Sequence, residues 1–168
     1  MSTFAFDRRA ALIPIDVQRG FDYPPWGRRD NTQMERHGRA LLDAWRSAGW
    51  PLIHVRHDSV VPGSSLSPAH PGNAFRDGFE PLPGEPLVSK SVNAAFIGTD
   101  LDLRLRRLGV DCLVLFGIST DMCVSTTSAN SARRVARCAR AISSARISPP
   151  APSSRSKHWQ ASPTTIVR

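Results

Sequence analysis

Val110-Asp-Cys-Leu-Val-Leu-Phe-Gly117 is the most apolar stretch of the chain. A short apolar run closed by glycine reads as a strand buried on both faces, the kind found inside a parallel sheet. Ile118 to Val124 then turns, and Ser125 opens a helix. Upstream, Thr99-Asp-Leu-Asp-Leu-Arg-Leu-Arg-Arg-Leu108 predicts a helix with Thr99 as N-cap and Gly109 past its end. Pro86–Lys90 and Pro51–Arg56 predict two more strands. Between residues 34 and 48, Leu41, Leu42 and Trp45 recur at helical spacing before Gly49 stops the helix. Ala10-Ala-Leu-Ile-Pro-Ile-Asp16 predicts the first strand, although Pro14 lacks the donor a central strand uses. Strands alternating with helices predict a three-layer α/β/α domain with a mostly parallel, Rossmann-like sheet.

The chain's 168 residues suit one domain with a real core. Nothing at the N-terminus resembles a signal peptide, and no apolar run approaches a membrane span. Three cysteines, Cys112, Cys123 and Cys138, without C-x-x-C spacing argue against a disulfide framework or zinc knuckle. A reducing, cytoplasmic setting is the expectation. The net charge of +8 is confined to one end: residues 1–130 hold 14 basic and 14 acidic side chains, residues 131–168 hold 8 basic and none acidic. A high isoelectric point ordinarily suggests nucleic acid. Here the neutral body gives that reading no support, and Trp159 alone is available for stacking in the tail.

Asp16, Lys90 and Cys123 each stand at or just past the C-terminal end of a predicted strand, the edge where open α/β sheets bind ligands. Singly each has a plain structural reading, since cysteines beyond strands are mostly small core residues. Together they form a chemically sensible set. A thiolate can be the nucleophile, a carboxylate can take and return its proton, and an ammonium can hold the carboxylate ionised.

Three segments carry a family likeness. Ala11-Leu-Ile-Pro-Ile-Asp-Val-Gln-Arg-Gly-Phe21 resembles the opening strand of the isochorismatase-like cysteine hydrolases. Lys90-Ser-Val-Asn-Ala-Ala-Phe-Ile-Gly-Thr-Asp-Leu101 resembles their lysine segment, and Gly117-Ile-Ser-Thr-Asp-Met-Cys-Val124 their nucleophile loop. The resemblance covers residues 9 to 130 and implies Asp16 as general base, Lys90 as its charged partner and Cys123 as nucleophile. It also implies a cis peptide between Ile118 and Ser119, with the backbone N–H groups of Ser119 and Cys123 forming an oxyanion hole. The activity it implies is hydrolysis of a small amide or related C–N bond through a thioester. Two alternatives remain open. One is vinyl-ether hydrolysis of the isochorismatase type. The other is an inactive chain whose basic tail binds an acidic partner.

Phe21, Trp26, Asn93 and Phe96 are the side chains expected around a small-molecule substrate, with ordinary core packing as the alternative for the aromatics. Relatives that bind zinc use an Asp-x-His arrangement after the second strand, which His54-Val-Arg-His57-Asp58 does not match. His54 and His57 fall out of phase for one strand face, and no third ligand is evident. The expectation is no metal and no cofactor, with His54 packed in its strand and His57 or Asp58 ordering the loop. Residues 57–86 are rich in Pro, Gly and Ser, and with His70 they suggest a lid. A homo-oligomer is expected if the fold is complete.

The alternating pattern stops after about Asn130. Residues 131–168 contain no Leu or Phe and carry Pro149-Pro-Ala-Pro152. The expected organisation is therefore an incomplete hydrolase domain over 1–130, lacking its last strands, and a poorly packed basic tail over 131–168. A change of reading frame near residues 125–130 would explain the break. Codons for Ala141 to Pro149, read from the third base of the Ala141 codon, can spell Asp-Leu-Phe-Ser-Ala-Asp-Leu-Ala. Those for Ser154 to Thr165 can spell Pro-Glu-Gln-Ala-Leu-Ala-Ser-Leu-Ala-Asp-Asp, and both strings resemble ordinary α/β-domain sequence. Without a neighbour, the strand at 110–117 would be an apolar edge, so poor solubility and low activity are the expectation.

Overall fold

A computed structural model describes residues 6–131 and 138–141. In chain order its elements are β1 (Ala10–Ile15), α1 (Met34–Ala48), β2 (His54–His57), β3 (Leu87–Lys90), α2 (Leu101–Arg107), β4 (Cys112–Gly117), α3 (Ser125–Ser131) and β5 (Cys138–Ala141). The strands form a single parallel sheet in the order β3-β2-β1-β4-β5. Connections leave β1 toward β2 on one side, while β4 lies on its other side. The chain thus reverses its winding at the β1/β4 boundary, where crevices open at the carboxyl ends of strands.

Every residue of β1 and β4 is buried, as expected of strands covered on both faces. Alternate side chains feed two cores. Leu12, Val114 and Phe116 join Met34, Leu42 and Trp45 of α1 on one face. Ile13, Ile15, Leu113 and Leu115 join Leu101 and Leu105 of α2, together with Val124, on the other. The result is a three-layer α/β/α sandwich. Trp45 Nε1 donates to the Ala10 carbonyl at 3.0 Å, tying α1 to the central strand. Gly49, at φ +62°, ends α1.

Pro14 leaves a specific mark on the sheet. Leu12 N donates to Pro51 O and Asp16 N to Val55 O, both at 2.9 Å, so the amide of residue 14 would be the rung between them. Proline removes that donor. The β1/β2 pairing is correspondingly split into an isolated Leu12–Leu52 bridge and an Ile15–Val55 pair. This is why β2 begins at His54 rather than at Pro51 as expected from sequence. On the other side β1 pairs with β4 without interruption, from Ala10–Cys112 to Ile15–Gly117. Gly117 is needed there: its φ is +151°, and a Cβ would lie 1.8 Å from the Ile15 carbonyl oxygen.

Two expectations for the region after Asn130 change. Residues 138–141 form a fifth strand, so the sequence continues past α3 with sheet structure that its composition does not reveal. β5 pairs with β4 over Cys112–Leu115, so β4 is not an open edge. The remaining expectations for the tail fall on residues 132–137 and 142–168, outside the described residues.

Candidate active site

Asp16, His57, Lys90 and Cys123 meet at the carboxyl ends of the strands. Asp16 follows β1 directly and has φ +53°, a left-handed conformation uncommon for a residue with a side chain. Such a backbone costs of order 1–3 kcal/mol and is characteristic of sites where a side chain must be aimed. Lys90, the last residue of β3, reaches across β2, and its Nζ donates to Asp16 Oδ2 at 2.6 Å. Both side chains are fully buried. Lys90 Nζ also lies 3.1 Å from His57 Nδ1, at the end of β2.

Cys123 sits in a single π-helical turn, Thr120–Val124, between β4 and α3. The Ile118–Ser119 peptide that leads into this turn is cis. Ligand atoms of Asp16, His57 and Cys123 lie within 4.8 Å of one another. Asp16 Oδ1, buried, has no hydrogen-bond partner among the described residues. The Cys123 thiol is 3.9 Å from Asn93 Oδ1.

The electrostatics follow from burial. Desolvation raises the Asp16 carboxyl above the ordinary carboxylate value, opposed by the Lys90 ammonium. The Cys123 thiol is pushed up to about 12, first by burial and then by the neighbouring Asp16 charge. The resting sulfur is therefore a thiol. His57 is lowered by burial and then by Lys90, so at neutral pH its ring is uncharged and accepts from the ammonium.

A cavity of about 430 Å³ opens over Cys123. Phe21, Trp26, Asn93 and Ser119 line it, as do His57, Met122 and the loop residues Val61 to Leu66. Phe96, expected at the substrate, is absent from this lining. It packs in the core on the α2 side of the sheet, where burial of a large ring outweighs exposure to the cavity.

Two amides that sequence reasoning passed over hold residues of the cavity wall from behind. The Gln18 side chain donates to His57 O at 3.0 Å and Asn73 O at 2.8 Å, and accepts from His57 N at 2.9 Å. Asn73 Nδ2 lies within hydrogen-bond distance of His57 O, Asp58 Oδ1 and Leu66 O. The loop expected as a lid is in this way fastened to the sheet, and His70 caps the short turn at Pro71–Asn73. Gln18 stands two residues after Asp16, which is the signal that could have drawn attention to it.

The histidines divide. His54 is buried in β2 and bonds Glu85 at 2.8 Å, while Asp58 pairs with Arg56 at 2.8 Å. His57, expected to order the loop, instead faces the Asp16–Lys90 pair. His54 and His57 do not share a site, while His57, Asp16 and Cys123 offer three possible ligand atoms within 4.8 Å, brought near by the fold and not by sequence spacing. The Lys90 ammonium, bonded to Asp16 and His57, already supplies positive charge there. Cys112 departs from expectation too. It is disulfide-bonded, leaving Cys123 as the free cysteine of the described residues. Cys112 pairs in register with Cys138, a proximity created by strand pairing that a search for short motifs does not detect. No helix among the described residues is long and apolar enough to cross a membrane.

The isochorismatase domain model matches residues 10–146. An uncharacterized isochorismatase family protein of Bacillus subtilis, YrdC, is 37% identical over 72% of this chain and 65% of its own length. Maleamate amidohydrolase of Pseudomonas putida is 28% identical over 71% of this chain and 63% of its own. The chain thus spans just under two thirds of these relatives. A crystal structure of an isochorismatase-family protein from Chromobacterium violaceum superposes with a TM-score of 0.76 at 41% identity, covering 82% of this chain and 72% of that one. With the domain model matched across β1 to β5 and a structural relative at that identity, this chain belongs to the isochorismatase family.

Proposed function

We propose that the chain is a hydrolase of a small amide or related C–N bond, with Cys123 as nucleophile. One observation carries this reading: a buried carboxylate, clamped through one oxygen by Lys90 and with its other oxygen unpartnered, lies within 4.8 Å of the only free thiol of the described residues. A thiol held near pKa 12 does not ionise in advance. Its proton passes to Asp16 Oδ1 as Sγ attacks the substrate carbonyl carbon. The C–S bond forms and the carbonyl electrons move to oxygen, where the N–H groups of Ser119 and Cys123 are the proposed donors. Collapse breaks the C–N bond, and Asp16 returns the proton to the departing nitrogen. Asp16 then takes a proton from water, whose oxygen attacks the thioester carbon; collapse breaks the C–S bond and releases the acid, and Asp16 returns the proton to Sγ. Likeness to a maleamate amidohydrolase favours amide chemistry.

Mass spectrometry of the intact chain quenched during turnover of a small amide tests this. The expected result is an acyl adduct on Cys123 and release of ammonia, both lost in Cys123→Ala. A vinyl-ether hydrolase would lack the adduct and keep product formation in that variant. The reading that gives a basic tail an acidic partner concerns residues 131–168 and finds no support in the described site.

A further inference from the structure

The cavity over Cys123 has a charge character that narrows its ligand. Among the described residues, its lining contains no Lys, Arg, Asp or Glu. Two ionised groups lie behind it, Asp16 and Lys90, and they neutralise one another in a buried 2.6 Å pair. Of the titratable side chains on the wall, His57 is shifted toward its uncharged form by burial and by Lys90, and the Cys123 thiol is raised by burial. On the lining, Ser119 Oγ donates to Asp121. A substrate carboxylate entering here would shed water and meet no cation, a cost of several kcal/mol for an unpaired ion. An ammonium group would fare no better, since the lining offers it no acid.

The walls favour apolar, flat groups. The Phe21 and Trp26 rings stand 4.9 Å apart in a tilted pair. Trp26 is fixed by its Nε1, which donates to Ser65 Oγ at 3.1 Å, and Ser65 Oγ in turn donates to the Gly20 carbonyl at 2.8 Å. Leu66, Val61 and Met122 complete an apolar surface facing the thiol. We propose that the site takes an uncharged amide whose acyl group is apolar or aromatic, and discriminates against carboxylate-bearing and ammonium-bearing analogues. This rests on the cysteine-hydrolase reading for the position of the amide, while the charge preference comes from the lining alone.

Benzamide, benzoate and benzamidine are nearly isosteric and carry zero, negative and positive charge. Their affinities for the full chain carrying Cys123→Ala, measured by calorimetry, test the proposal. Benzamide is expected to bind at least about tenfold more tightly than either ion. Equal or tighter binding of an ion overturns the proposal, and so does absence of benzamide binding up to about 10 mM. A measurement on the unmodified chain stands independently of that variant. Iodoacetamide should label Cys123 faster than iodoacetate by at least about tenfold more than the same ratio for glutathione. A ratio equal to that of glutathione overturns the proposal. Benzamide binding without ammonia release or an acyl adduct in the unmodified chain would refute the hydrolase reading and leave the charge preference standing.

Discussion

At the scale of single residues, the site is a problem of where one proton resides. Lys90 holds one Asp16 oxygen, the other has no partner among the described residues, and the carboxylate lies within 4.8 Å of the Cys123 sulfur. Replacement Asp16→Asn keeps the shape and removes the base. A fall of about 10²–10⁴-fold in kcat/KM is expected, the usual range for a lost general base. Burial raises the Asp16 carboxyl above the ordinary value of 3.8. Protonation of Asp16 removes the acceptor, so activity must fall as pH drops through that raised pKa. The acid limb of kcat/KM is expected above the ordinary carboxyl value of 3.8, and a limb at or below it would mean that Asp16 is not the titrating base. That Asp16, Lys90 and Cys123 share one edge of the sheet was legible because Asp16 follows β1, Lys90 closes β3 and Cys123 lies in the turn after β4. His57 was not legible, since its approach to Lys90 depends on β2 lying between β1 and β3. Phe96 was misplaced because an aromatic side chain has the same sequence signature in a core and in a cavity.

At the scale of elements, two joints carry testable weight. β1 and β4 approach so closely at Gly117 that a Cβ there would overlap the Ile15 carbonyl. Gly117→Ala is expected to cost more than about 4 kcal/mol in urea unfolding, the range reached by backbone overlap and by strained conformations at glycine-only positions. The second joint is Glu85, which receives Arg46 Nε of α1 at 2.7 Å and contacts His54 of β2 at 2.8 Å. The Arg46 hydrogen bond, with smaller help from Leu82 N–H and His54, lowers the Glu85 carboxyl from 4.5 to about 2. A depressed carboxyl stabilises the fold fully above its unfolded value and loses that contribution as pH falls through the folded one. Glu85→Gln should therefore lower Tm most above pH 4.5, and the gap to the unsubstituted chain should narrow as pH falls toward 2. A gap independent of pH would show that the charge of Glu85 contributes nothing. Helix ends were read to within a residue or two, as with α2, which begins at Leu101, while Thr99 Oγ1 accepts from the Leu101 amide at 3.3 Å. The start of β2 was not legible, because it depends on a missing rung in a different strand.

At the scale of the whole molecule, composition and architecture disagree beyond Asn130. Residues 131–168 carry all of the net charge of +8 and none of the apolar alternation that defines β1 and β4. Yet Cys138–Ala141 extend the sheet beside β4, and the family match runs to residue 146. Those four residues, Cys-Ala-Arg-Ala, escaped notice because they are few and carry only small apolar side chains around Arg140, too little for the continuous apolar run that identifies a buried strand. If the reading frame changed, it changed after the encoded backbone had already supplied this neighbour for β4, or the altered sequence retains enough extended character to pair there. The DNA distinguishes these cases. Sequencing is expected to find codons over Ala141–Pro149 and Ser154–Thr165 that spell the two α/β-like strings in the alternative frame, and codons that exclude them would remove the frameshift expectation. The physical consequence can be measured on protein. A chain continued in the alternative frame would replace Arg, Ser and Pro positions by Leu, Ala and Asp, adding apolar side chains where this chain has few. Burying each Leu stabilises by about 1.5–3 kcal/mol, so a few of them compare with the whole stability margin of a domain. The alternative-frame chain is expected to melt cooperatively at a temperature at least about 5 °C higher than this chain in matched buffer. An equal or lower Tm would show that the sheet through β5 already provides the stability of the fold.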